Sequence, residues 1–171
     1  MVLEFKNCIQ TDLKTLAQLS RNTFIDAFAK QNNSIDFEEY INKAFSLSNL
    51  EKELSTIDSQ FFFMYIKKQL VGYFKLNENN AQNELKEKAG IELERIYIKK
   101  SFQGKKLGTQ TIAQIIKIAY KKEKQYIWLG VWERNLDAIR FYQRHDFVKF
   151  DTHPYYIGND RQIDWLMRKE L

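Results

Sequence analysis

The chain has 171 residues, 44% apolar and 15% aromatic, enough for one well-filled domain and too apolar for a disordered chain. Its 27 lysines and arginines against 22 aspartates and glutamates leave a net charge of +5, which suits a phosphate-rich ligand or simply a lysine-covered surface. One cysteine, Cys8, excludes an internal disulfide, and two separated histidines, His145 and His153, form no ligand pattern, so no metal is expected.

Val2, Leu3, Phe5 and Ile9 predict a short opening strand. Glu4 and Lys6 interrupt it, so no export segment is expected and the chain reads as soluble and cytoplasmic. The longest apolar run, residues 61–66, is far short of the ~20 residues of a membrane helix. Thr11-Asp12 opens a helix with Leu13, Leu16, Ala17, Leu19, Phe24 and Phe28 on its apolar stripe. Ser34 is the expected cap of a second helix carrying Phe37, Tyr40, Ile41, Ala44 and Phe45. Ser48 is the expected cap of a third, with Leu50 and Leu54 inward. Residues 61–66 and 70–76 predict a hairpin closed by a tight Lys67-Lys68-Gln69 turn, followed by a polar loop over 77–90. A strand follows over 91–98, then a loop at 101–108 opening a helix, a strand ending Trp128-Leu129-Gly130-Val131-Trp132, and a helix led by Asn135. Residues 147–150 and 163–167 predict a closing antiparallel pair. Helices first, a hairpin next and one crossover near the end predict an α/β fold. It has a mixed sheet, a central βαβ unit and flanking helices, in a single domain over residues 1–171.

Residues 91–147 hold the candidate chemistry. In Gln103-Gly104-Lys105-Lys106-Leu107-Gly108-Thr109 a glycine-containing loop opens a helix. Unpaired N–H groups at such a terminus bind phosphate, glycine admits close approach, and the two lysines add charge; the alternative is an ordinary strand-to-helix turn. Strand alternation places Glu92, Glu94, Ile96 and Ile98 on one face and Leu93, Arg95 and Tyr97 on the other. Either carboxylate could accept a proton from an amine or pair with Arg95 and nearby lysines; pairing is the favoured reading for Glu92. Asn135 suits an N-cap, and Ala138, Ile139, Phe141 and Tyr142 follow at helical spacing. Tyr142 is either a core aromatic or one whose hydroxyl reaches a cleft.

This order of strand, loop, strand and helix resembles the Gcn5-related N-acetyltransferase (GNAT) superfamily. Its loop reads Gln/Arg-x-x-Gly-x-Gly/Ala and its last helix Asn…Ala…Phe-Tyr…Gly-Phe. The likeness is strong over 91–147 and looser over the whole chain. Within the superfamily, Glu94-Arg95-Ile96-Tyr97-Ile98, Ser59-Gln60-Phe61-Phe62-Phe63 and Ile127-Trp128-Leu129-Gly130-Val131-Trp132-Glu133 resemble bacterial Pai-type spermidine/spermine acetyltransferases. Two positions depart from the pattern: Lys106 stands where the loop has its first glycine, and Asp146 where glycine precedes Phe147.

The resemblance implies a mostly antiparallel sheet, acetyl-CoA as donor and a primary amine, first a polyamine, as acceptor, with direct attack in a ternary complex. It implies that backbone groups of Ile96 and Ile98, flanking Tyr97, hold the pantetheine arm. Gln103, Gly104, Lys105, Lys106, Leu107, Gly108 and Thr109 hold the pyrophosphate, Asn135 touches the arm, and Arg144 reaches a phosphate. Glu94 removes the amine's proton and Tyr142 protonates the departing thiolate. The alternatives are acetylation of a protein N-terminus or other small amine, a binding module with a decayed site, or a basic nucleic-acid-binding regulator; no helix-turn-helix, zinc-finger or RNA-binding string supports the last. Monomer and homodimer both stay open.

Overall fold

The computed structural model describes residues 2–32 and 34–171, without the Ser34 side chain, so the expected Ser34 cap lies outside the described residues. Strand β1 (Glu4–Asn7) leads into helices α1 (Leu13–Phe28), α2 (Ser34–Ala44) and α3 (Leu47–Ser55). The hairpin β2 (Ser59–Ile66) and β3 (Gln69–Asn77) precedes β4 (Gly90–Ile98), α4 (Leu107–Lys121), β5 (Tyr126–Trp132) and α5 (Leu136–Gln143). A closing hairpin, β6 (Val148–Ile157) and β7 (Asp160–Glu170), completes a seven-stranded sheet in the order β1-β2-β3-β4-β5-β7-β6. β4 and β5 run parallel, and the other neighbours are antiparallel. The parallel pair is the expected βαβ unit, with α4 as its crossover. Among the described residues no helix is long and apolar enough to cross a membrane.

Each face of the sheet carries its own core. Leu107, Ile112 and Ile115 of α4 and Ile139 of α5 pack on Phe74, Leu76, Leu93, Ile127 and Leu129. On the other face Leu16, Leu19 and Phe24 of α1, Phe37 and Ile41 of α2, and Leu50 of α3 pack on Phe61, Phe63 and Tyr73. Burying each such side chain contributes about 1.5–3 kcal/mol.

Four local expectations change. Ser46, not Ser48, caps α3, its hydroxyl accepting from the Asn49 N–H at 3.2 Å. The β2–β3 turn has two residues, since Gln69 already pairs with Ile66, and Lys67 and Lys68 have φ of 47° and 67°, the primed-turn geometry that fits strand twist. The closing strands run well beyond residues 147–150 and 163–167, because β6 is an edge strand and so tolerates Asp151, Thr152 and Pro154, which read as a strand end in sequence.

The fourth change is in β4. Lys75 pairs with Arg95 and Leu76 with Leu93, so Glu94 is an extra, bulged residue. Strict alternation therefore fails there. Ile91, Leu93, Ile96 and Ile98 all face the α4 core, whereas Tyr97 packs in the α1–α3 layer. Glu92, paired with Asn77, and Arg95, paired with Lys75, lie on that second face with Glu94.

Candidate active site

β4 and β5 pair at only three positions, Gly90–Tyr126, Ile91–Ile127 and Glu92–Trp128. Beyond them β5 keeps only β7 as neighbour, and β4 from Leu93 to Ile98 keeps only β3. Unpaired backbone on one edge of a strand offers N–H and C=O groups to a ligand. The wedge between the strands is a cleft of about 190 Å³, lined by Glu94, Ile96, Tyr97, Trp132, Asn135 and Tyr142 among others.

The loop beside this wedge ends in Lys106 at φ 59°, ψ 18°, the left-handed conformation that glycine adopts freely. Gly104, at φ 74°, shares it. Asp146 does the same at the end of α5, with φ 65°. Both departures from the family pattern thus keep glycine-type backbone, and Lys169 Nζ holds Asp146 at 3.1 Å. No side chain caps α4, and its first intrahelical bond is from Gln110 N–H to Lys106 O at 3.3 Å. The N–H groups of Leu107, Gly108 and Thr109 are left to a ligand, in a site made positive by the helix dipole. Gly108 has a packing reason as well: a Cβ there would lie 2.9 Å from Cζ of Phe141. Thr109 Oγ1 meets His145 Nε2 at 3.2 Å, a second tie between α4 and α5. Gln103 Nε2 donates to the free-edge carbonyl of Ile98 at 3.0 Å, and Lys105 Nζ donates to Ser101 O at 3.0 Å.

Asn135 caps α5, its Oδ1 accepting from Ala138 N–H at 3.3 Å, and lines the cleft. Tyr142 is 8% exposed, packs in the α4 core and also lines the cleft. Burial pushes its hydroxyl pKa up, and among the described residues that hydroxyl has no hydrogen-bond partner. It stays protonated at neutral pH, as a proton donor must. Cys8 is buried in the α1–α3 layer, where burial and then Asp12 push its thiol up to about 12, so it is no nucleophile.

The cleft continues into a second chamber of about 270 Å³ on the α1–α3 side. The β4 bulge turns Glu92 and Glu94 toward it. Glu94 accepts from Lys75 Nζ at 2.5 Å, Asn77 Nδ2 at 2.5 Å and Arg95 Nη2 at 3.2 Å. Lys75 and Arg95 are shared with Glu53 of α3, each within 3.0 Å. Burial alone would raise the Glu94 pKa, but Arg95 and Lys75 outweigh it and bring it down to about 2. Glu92, 3% exposed, accepts from Asn77 Nδ2, Asn83 N–H and Asn83 Nδ2 at 2.8–3.0 Å. Burial and then the Glu94 charge push it up to about 7, against those hydrogen bonds. Glu84, His153, Asp164 and Tyr155 form the far wall, with His153 Nδ1 at 3.2 Å from Glu84. The hydroxyls of Tyr40 and Tyr155 join in a short hydrogen bond beside them.

A wedge between parallel strands, an uncapped helix start and a buried tyrosine hydroxyl accompany a match to the acetyltransferase (GNAT) family model over residues 20–147. The chain belongs to the GNAT acetyltransferase family. It is an acetyl-CoA-dependent N-acetyltransferase with the expected mixed, mostly antiparallel sheet. An uncharacterized N-acetyltransferase of Lactobacillus delbrueckii subsp. lactis is 37% identical over 162 residues, 95% of this chain and 94% of that protein. A spermidine N(1)-acetyltransferase of Thermoplasma acidophilum is 26% identical over 158 residues, 89% of this chain and 92% of that protein. The crystal structure of the PaiA N-acetyltransferase of Thermoplasma acidophilum in complex with coenzyme A superposes with a TM-score of 0.79 at 23% identity, covering all of both chains, a likeness of fold.

Within this GNAT acetyltransferase, Glu94, Ile96, Tyr97, Asn135 and Tyr142 meet at one cleft. Gln103 to Thr109 form the neighbouring helix start. Arg144 ends α5 on an exposed surface, and neither it nor Ile98 is among the lining residues of the cleft. Sequence reasoning missed Glu53, Lys75, Asn77, Glu84, His153 and Asp164. Lys75 and Asn77 did leave a signal: two polar residues closing an otherwise apolar strand, both nearly fully buried.

Proposed function

We propose that this acetyltransferase moves an acetyl group from acetyl-CoA to a primary amine of a small polycation such as spermidine or spermine. The observation that carries the reading is the acidic chamber opening off the cleft, where Glu84, Glu92, Glu94 and Asp164 outnumber Arg95 and His153. Carboxylates and the aromatic faces of Tyr40, Tyr97 and Tyr155 are what several ammonium groups need. The spermidine acetyltransferase relative points the same way.

In this reading the free edge of β4 at Ile96 and Ile98, around Tyr97, holds the pantetheine arm together with Asn135. Gln103 to Thr109 hold the pyrophosphate against the start of α4, and Lys105, Lys106 and Arg144 supply positive charge around it. Glu94, pinned as a carboxylate, draws the ammonium in. The proton-accepting role expected of Glu94 passes to Glu92, because a carboxyl at about 7 takes a proton at neutral pH and one at about 2 does not. The ammonium gives a proton to Glu92 and the free amine attacks the thioester carbon. The carbon–nitrogen bond forms, the carbon–sulfur bond breaks, and the sulfur takes the Tyr142 proton. The proton left on nitrogen restores the tyrosine. Thiol release from acetyl-CoA, measured with spermidine, spermine, an amino acid, an aminoglycoside and a peptide N-terminus, tests the acceptor. Polyamines should give the highest kcat/KM, and a higher value for any other class would remove the assignment.

A further inference from the structure

We infer that Asp164 anchors a second cationic group of the acceptor and thereby selects diamines and polyamines over monoamines. This rests on the polyamine reading and names the residue that enforces it. Asp164 lies on β7 opposite Trp132 and lines both the cleft and the acidic chamber, so it stands where the two join. The other chamber acids are engaged: Glu92 by Asn77 and Asn83, Glu94 by Lys75 and Arg95, Glu84 by His153. Asp164 feels only burial and the charges of Glu84, His153 and Glu133, and among the described residues nothing donates to it.

Two further observations mark this point as a place for a ligand. Gly130 is the exposed position in a strand otherwise buried from Tyr126 to Trp132. A Cβ on it would sit 3.4 Å from Asp164 Oδ2 and 3.8 Å from Leu166 Cδ2, so the bare backbone keeps space clear over the carboxylate. Tyr142, a buried residue whose hydroxyl is unpartnered among the described residues, lines the same cleft. The chemistry selects a cation. Burial first, then Glu84, push Asp164 up to about 6, so the pocket already holds more negative charge than it can settle. Carboxylates then stand on two walls, Glu92 and Glu94 on β4 and Asp164 on β7. A monoamine satisfies one wall; a molecule with two ammonium groups satisfies both.

The test is the selectivity ratio, kcat/KM for 1,4-diaminobutane over kcat/KM for butylamine, in the wild type, Asp164→Asn, Asp164→Glu and Gly130→Ala. Losing a charge-assisted contact in a partly buried site should cut the ratio about ten- to a hundredfold in Asp164→Asn. Asp164→Glu should restore part of it, and Gly130→Ala should lower it by placing a methyl group, in ordinary contact with the carboxylate, in the space the second ammonium would take. Asparagine is isosteric and Asp164 has no partner to lose, so thermal unfolding should stay close to wild type; Gly130→Ala decides if the first variant fails to fold. Calorimetry with 1,4-diaminobutane supplies a readout without turnover. If the wild type prefers the diamine and both variants keep the ratio, Asp164 is not the anchor, while the polyamine reading stands. A wild type that neither binds nor prefers diamines overturns both.

Discussion

Replacing Glu92 with glutamine separates the proton acceptor from its neighbour. Folding carries this carboxyl from an ordinary 4.5 to about 7, which at about 1.4 kcal/mol per pH step is ~3 kcal/mol between the charged and neutral forms. The raised value means the fold prefers the protonated group. Its stabilising contribution is fully present below 4.5 and is lost as pH climbs through about 7. About 2–3 kcal/mol of it should vanish between pH 5 and pH 8. Glu92→Gln cannot ionise, so urea unfolding at the two pH values should show the variant gaining that much on the wild type. A constant offset of about 1 kcal/mol comes from one oxygen facing three donors, and it does not affect the swing. In the thiol-release assay the variant should lose about 10²–10⁴-fold in kcat/KM, and the acid limb centred near 7 should disappear. A variant that tracks the wild-type pH–stability curve and keeps its acid limb would refute the assignment, and Glu92 would then be a structural acid held by two asparagines.

Tyr142→Phe removes an oxygen without a partner, so Tm should hold while turnover drops by about 10²–10³-fold; near-normal turnover would make Tyr142 a core aromatic and water the proton donor. Gly108→Ala should cost about 1–3 kcal/mol in urea unfolding, because its Cβ meets the Phe141 ring at 2.9 Å, and should weaken coenzyme A binding by calorimetry as the helix start shifts; unchanged binding would make the loop an ordinary turn. Lys106→Gly relieves a left-handed side-chain residue and should raise stability by up to about 1 kcal/mol, whereas an unstrained loop would show a loss.

The βαβ unit, the hairpin and the helix caps at Asn135 and the loop before α4 could be read from the chain because their signals are local: turn residues, periodicity and a glycine-containing string. The β4 bulge could not. It exists only in the register between Lys75-Leu76 and Leu93-Arg95, a pairing across strands that one strand's alternation does not contain. The far wall of the acidic chamber was hidden for a related reason. Glu84 sits in a polar loop, and His153 and Asp164 sit on a closing hairpin whose first strand is largely exposed, so nothing nearby in sequence ties them to Glu92 and Glu94. Ser46 and Ser48 stand two residues apart, and backbone geometry makes the choice: Ser46 is extended, at φ −64° and ψ 149°, whereas Ser48 already lies inside α3.

The extra residue in β4 acts as a change of phase along the strand. Up to Leu93 the odd-numbered side chains face α4; from Ile96 onward the even-numbered ones do. Removing Glu94 would therefore do more than delete a charge. Without it Arg95 would follow Leu93 in regular alternation, with Ile96 and Ile98 still under α4 and Tyr97 still in the other layer, but the bulge that sets a carboxylate against Lys75 and Asn77 would be gone. The residue that neither apolar layer needs is thus the one that serves the acceptor chamber. Point substitution of Glu94 keeps the bulge and changes only what it presents, whereas deletion straightens the strand and withdraws that side chain from the chamber wall while both cores keep their facing residues.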